Sequence, residues 1–240
     1  RDDYFIKTKN FQGETYIGDP INSLRIFNDL EVDEIAIFDL DKSVKKENIN
    51  FELLKKISSE CFMPVTYGGG VKNLEDVQKI FSLGIEKIAF NSLIFENFEI
   101  FKNVCNHYGA QSVVASIDIK QTENEFDIYI YNGKIKANES IEDVFNKFNN
   151  LGIGEIIITD IEKDGLRTGY NLDVLKKLSK LTDIPIIING GAAKNEDFRD
   201  AIDNGASAVA ASSLFVLNKS FETVLIDYPN FDEKQNIFKK

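Results

Sequence analysis

A chain of 240 residues that is 43% hydrophobic can bury one large core, and no Pro-rich or Gly/Ser-rich run divides it into domains. Its net charge of −11 argues against a nucleic-acid partner, because a phosphate backbone attracts clustered Lys and Arg. Cys61, Cys105 and the lone histidine, His107, are too few and too scattered for a disulfide framework or a metal site, and no cofactor motif is present. No apolar run reaches the roughly 18 residues of a membrane span and no signal peptide is visible, so a cytoplasmic protein that binds no membrane is expected.

In chain order, residues 1–9 read as the trailing end of a strand lying mostly upstream, and residues 8–18 as a mobile loop. Asp19-Pro20 marks a helix start, a cap residue followed by a favoured first turn. Short apolar runs then recur at 35–39, 63–67, 86–90, 112–118, 154–159, 184–188 and 207–211, with amphipathic helical stretches between them, one opened by Asn73. That alternation predicts parallel strands joined by crossover helices. EFDIYIYNGKIKA (125–137) alternates around Asn132-Gly133, which predicts a β-hairpin inserted after the fifth strand.

The chain also repeats itself. EIAIFDL (34–40) aligns with EIIITDI (155–161) at an offset of 121 residues, and residues 63–95 align with 184–216 at the same offset without a gap. Pro64/Pro185, Gly69/Gly190, Gly70/Gly191, Gly84/Gly205 and Ser92/Ser213 are among the matched pairs. Chance does not hold one offset over so many positions. The expected fold is therefore a single (β/α)₈ barrel over residues 1–240, made of two half-barrels of about 1–110 and 111–226, with its first strand largely missing from the chain as given.

In such a barrel the chemistry sits at the C-terminal ends of the strands. Tyr67-Gly68-Gly69-Gly70 and Asn91-Ser92 form one Gly-rich turn with a Ser at a helix opening, and Asn189-Gly190-Gly191 with Ser212-Ser213 form its repeat. Exposed backbone N–H groups, a hydroxyl and a helix N-terminus together suit a phosphate, and two symmetry-related copies imply an elongated, doubly phosphorylated ligand. Lys163-Asp164-Gly165 would close over the second site. Asp118, ending the fifth strand among apolar neighbours, is the candidate general acid or base. Asp39, Thr159 and Asp164 would support it, and Lys7 would reach the substrate from its loop. At the other mouth Glu34, Lys87 and Glu155 open alternate strands and should share one interior ring, either a salt-bridge plug or a gate.

The motifs VTYGGG, NS, SIDIK, ITDIEKDG, INGGA and ASSLF resemble HisF, the cyclase subunit of imidazole glycerol phosphate synthase, over essentially the whole chain. The resemblance implies a glutaminase (HisH-like) partner at the N-terminal face. It also implies ammonia transfer through the barrel, and a bis-phosphorylated aminoimidazole ribulose substrate closed to imidazole glycerol phosphate for histidine biosynthesis. It implies Asp118 and Lys7 as catalytic residues, and Gly70, Asn91, Gly165, Gly191, Ser212 and Ser213 as phosphate ligands. Glu34, Lys87 and Glu155 would be three of the four gate residues. The family's other catalytic aspartate belongs to the first strand, upstream of Arg1. Lys7-Thr8-Lys9-Asn10-Phe11 lacks the glycine of the family's usual loop. Residues 16–43 and 224–229 also resemble HisF-like paralogues of surface-glycan gene clusters, which implies ammonia relay in acetamidino-sugar formation as an alternative. A HisA-like sugar-phosphate isomerase is the third reading.

Overall fold

The computed structural model describes residues 1–122, 125–218 and 223–239. Seven parallel strands form one curled sheet: β3 (Ile35–Phe38), β4 (Val65–Gly68), β5 (Lys87–Phe90), β6 (Val113–Gln121), β9 (Glu155–Asp160), β10 (Ile186–Asn189) and β11 (Ala208–Val209). They neighbour one another in that order, each followed by helix, which is the (β/α)₈ barrel architecture. Among the described residues β3 and β11 are the edges of this sheet.

The helices begin where the sequence supplies a cap. Asp19 accepts from the Asn22 N–H ahead of α1 (Pro20–Asp29), and Asn73 accepts from the Asp76 N–H ahead of α4 (Leu74–Ser82). Strand residues alternate between helices and barrel interior. On the helix side, Phe90 meets Phe101 of α6 (Phe98–Tyr108) at a ring distance of 5.5 Å, and Phe101 meets Phe148 of α7 (Ile141–Leu151) at 5.9 Å. The core built on these rings runs through both half-barrels. On the inner side, Ala89, Val114 and Ile157 form a separate small cluster with Ile187. Three inward columns result: Lys87–Ala89–Asn91, Val114–Ser116–Asp118 and Glu155–Ile157–Thr159.

Three expectations need correction. Residues 5–9 are no barrel strand: β1 (Phe5–Lys9) pairs antiparallel with β2 (Gln12–Gly18) in a sheet of their own, closed by left-handed Asn10 and Phe11. The segment expected to be a mobile loop thus carries the end of β1 and all seven residues of β2, its Ile17 packed against Val216 and Leu217. Asp118 does not end its strand either. β6 continues to Gln121 because β7 (Phe126–Ile130) pairs with it from Asp118 onward, and β7 turns through left-handed Asn132 and Gly133 into β8 (Ile135–Lys136). The expected hairpin is present, and it carries the strand past the carboxylate.

Candidate functional site

Asp118 lies inside the barrel near its C-terminal mouth, buried. The Asn91 amide donates to its Oδ2 at 3.2 Å and to the Ser116 carbonyl at 2.9 Å, fixing the carboxyl against β6. Burial away from water, and secondarily the charge of Asp164, push the Asp118 pKa up to about 8. At neutral pH the group therefore holds a proton that it can give and take back.

Lys7 does not project freely into the mouth. Its Nζ donates to both oxygens of Asp164 at 2.9 and 2.8 Å, with only 11% and 8% of the two side chains exposed. The hairpin is docked further by the Asn10 N–H on the Asp164 carbonyl (2.8 Å) and the Asn10 amide on the Glu162 carbonyl (3.2 Å). Gly165 makes this approach possible. Its φ is +78°, and a Cβ there would sit 2.3 Å from the Thr8 carbonyl oxygen.

The two Gly-Ser turns are alike in backbone and unlike in bonding. In the first, the Gly70 N–H donates to Ser43 Oγ at 3.1 Å. Ser92, first residue of α5 (Ser92–Glu96), donates to Asn91 Oδ1 (3.2 Å) and accepts from the Tyr131 N–H (3.1 Å). Gly69 runs beneath the Asp39 carbonyl, where a Cβ would lie 2.4 Å from that oxygen. In the second, Gly165, Gly190, Gly191, Ser212 and Ser213 line one cavity with Arg167. Ser213 opens α10 (Ser213–Val216), and its hydroxyl is buried with no hydrogen-bond partner. A buried hydroxyl without a partner is costly, so this one is poised for a ligand acceptor.

Arg167 is an addition to the residues expected from sequence. Its guanidinium donates to the carbonyls of Ser213, Leu217 and Asn218 and brings a cation beside the second turn. A basic residue between Gly165 and Gly169 was the available signal. Thr159 accepts from the Asn189 amide at 3.1 Å, which ties β9 to the turn after β10. Asp39 accepts from the Asp41 N–H at 3.4 Å. Asp160 is taken up structurally, accepting from Asn171 (2.7 Å) and the Glu162 N–H (2.9 Å).

At the opposite mouth the three charges do meet. Lys87 Nζ donates to Glu155 at 2.7 Å and to Glu34 at 3.1 Å. Burial works against the Lys87 charge, but these two bonds outweigh it and hold its pKa above the ordinary lysine value. Among the described residues no group of three or more His, Cys, Asp or Glu could hold a metal ion, and no helix is long and apolar enough to cross a membrane.

A parallel (β/α)₈ barrel with glycine-serine turns at two positions that repeat in the sequence, and a buried aspartate near its C-terminal mouth, defines the class of protein. The chain belongs to the family of histidine biosynthesis proteins, whose model matches residues 4–221. A Leptospira borgpetersenii protein provisionally named imidazole glycerol phosphate synthase subunit HisF is 39% identical over 236 residues, covering 97% of this chain and 93% of the relative. The imidazole glycerol phosphate synthase subunit HisF of Alkaliphilus metalliredigens is 34% identical over 216 residues (89% and 86%). That of a Hydrogenobaculum strain is 32% identical over 221 residues (91% and 88%).

Proposed function

We propose that this chain is the HisF-type synthase subunit of a cytoplasmic glutamine amidotransferase. Ammonia from a glutaminase (HisH-like) subunit at the N-terminal face passes the Glu34–Lys87–Glu155 ring and crosses the apolar layer of Ala89, Val114 and Ile157. It then meets a bis-phosphorylated aminoimidazole ribulose compound spanning the C-terminal mouth, and the product is imidazole glycerol phosphate. Gly69, Gly70, Asn91 and Ser92 take one phosphate once the Gly70 N–H and the Ser92 hydroxyl exchange their present partners, Ser43 and Asn91, for it. Gly165, Gly190, Gly191, Ser212 and Ser213 take the other, with Asp39, Thr159 and Asp164 in support.

The observation that carries this reading is the inward column Val114–Ser116–Asp118, which sets a buried acid above an apolar layer whose far side carries the Glu34–Lys87–Glu155 charges. A group that titrates near 8 can protonate a developing oxyanion or leaving group at neutral pH and recover the proton afterwards.

The test is turnover of the aminoimidazole ribulose substrate with ammonium salt, using the natural full-length protein and its Asp118→Asn variant. Activity lost in the variant supports the reading; no turnover in either defeats it. Capture of a glutaminase subunit without turnover would indicate ammonia relay for acetamidino-sugar formation. Isomerisation of a sugar phosphate without any glutaminase would indicate the HisA-like alternative.

A further inference from the structure

Among the described residues that line the second cavity, Asp164 and Arg167 are ionisable and the others are neutral. Both Asp164 oxygens accept from Lys7, so that carboxylate meets its counter-charge in place. Lys163, on the same loop, turns its ammonium to the carbonyls of Gly169 and Tyr170, at 3.2 and 3.4 Å. Arg167 supplies positive charge on the cavity wall. Its φ is +54°, a left-handed conformation that residues other than glycine seldom adopt. Its guanidinium donates to the carbonyls of Ser213, Leu217 and Asn218, the last at 2.7 Å. Carbonyls orient a cation without neutralising it. They also fix it to α10, whose first residue, Ser213, keeps its buried, unpartnered hydroxyl at the same cavity. The loop is fastened on its other side by the Gly169 N–H, which donates to the Gly191 carbonyl at 2.8 Å.

We propose that Arg167 is a specificity-determining residue, which makes the second cavity select a doubly charged phosphate over a singly charged anion. A fixed cation attracts a dianion about twice as strongly as a monoanion at the same distance. The Ser213 hydroxyl and the backbone N–H groups of the glycine turn bind oxygen atoms of either, and so discriminate less. An arginine keeps its charge throughout the range in which a phosphate gains its second one. The cavity thereby favours a terminal phosphate monoester, which carries two charges, over a phosphodiester or a carboxylate, which carries one. The first turn has no counterpart of this arrangement, since its Gly70 N–H and Ser92 hydroxyl are already engaged by Ser43 and Asn91.

This inference rests on the second cavity being a phosphate site, yet its test needs no turnover. The full chain is titrated calorimetrically with inorganic phosphate at about pH 5.5 and about pH 8, where the singly and doubly charged forms respectively dominate. Inorganic sulfate, doubly charged at both, corrects for titration of the protein itself. After that correction, wild type should bind the phosphate dianion about tenfold more tightly than the monoanion, and Arg167→Met should cut this preference to about twofold. Arg167→Lys, which keeps the charge, should retain most of it. Arg167→Gln should behave as Arg167→Met does and replaces it if that variant does not fold. Ser213→Ala should weaken both forms and leave the preference standing, which assigns the titrated site to this cavity. A merely structural Arg167 would weaken phosphate and sulfate alike at both pH values, and a preference that survives in Arg167→Met and Arg167→Gln overturns the proposal. Wild type that binds no phosphate defeats the phosphate site and the proposal together. Loss of the preference in Arg167→Met, beside a turnover assay that fails, would defeat the proposed reaction and uphold the role of Arg167.

Discussion

One amide nitrogen of Asn91 holds both the Asp118 carboxylate, at 3.2 Å, and the Ser116 carbonyl two residues before it, at 2.9 Å. The acid is thereby fixed to its own strand by a residue from the neighbouring one, in a place where water cannot solvate its charge.

That burial has a thermodynamic signature. The folded chain keeps a proton on Asp118 up to about pH 8, whereas the unfolded chain releases it near 3.8. The folded state binds the extra proton between these limits, so stability falls as pH rises through the window and is flat above it. Asp118→Asn removes the penalty. Each pH unit separating the folded and unfolded midpoints corresponds to roughly 1.4 kcal/mol. The variant's stability should therefore match wild type near pH 4 and exceed it by a few kcal/mol at about pH 8.5. Urea midpoints at a series of pH values check this, and a gap that does not widen with pH refutes it.

Ser213 should show opposite effects on stability and binding. Its hydroxyl is buried and unpartnered. Ser213→Ala is expected to stabilise the unliganded protein by about 1 kcal/mol and to weaken inorganic phosphate binding about tenfold. Calorimetric titration with phosphate and thermal melts of the same samples read both.

Gly165 is where the hairpin meets the barrel. Gly165→Ala forces a left-handed alanine and drives its Cβ into the Thr8 carbonyl. We expect a loss of about 1–3 kcal/mol and faster proteolytic cleavage within residues 5–18, with the rest of the chain protected. Cleavage mapped elsewhere first would contradict the docking role.

Lys87→Met leaves Glu34 and Glu155 facing each other. Both are part-exposed, so the cost should be modest, about 1–2 kcal/mol at neutral pH. Because its partners hold the Lys87 pKa above the ordinary value, the wild-type contribution is complete below about pH 10.5 and is lost only as pH climbs through the folded value. The wild-type and variant melts should therefore converge only in strong alkali.

Periodicity and self-similarity carried the barrel strands, the Asp19 and Asn73 caps and the inserted hairpin, because each is written in local residue spacing. The grouping of Glu34, Lys87 and Glu155 followed from strand parity in the same way. The fate of residues 5–18 did not follow, because Phe5 to Lys9 is apolar enough to suit a barrel strand and only its partner Gln12–Gly18 reveals the antiparallel pairing. Lys7 lies in the region expected but against a different neighbour; its ion pair with Asp164 spans 157 residues, a distance no local pattern encodes. The donors of the first turn are not open as its sequence suggests, since the Gly70 N–H already donates to Ser43 and the Ser92 hydroxyl to Asn91.

The charge ring also records how far the two halves have diverged. Glu34 and Glu155 are equivalent positions of the repeat, but the equivalent of Lys87 is Ala208, so one lysine serves both glutamates and bridges the halves. Two copies of the first half would bring two lysines to two glutamates, while two copies of the second would bring two glutamates and no cation. The two repeats are therefore not interchangeable in sequence: the glutamate of the second takes its counter-charge from the lysine of the first.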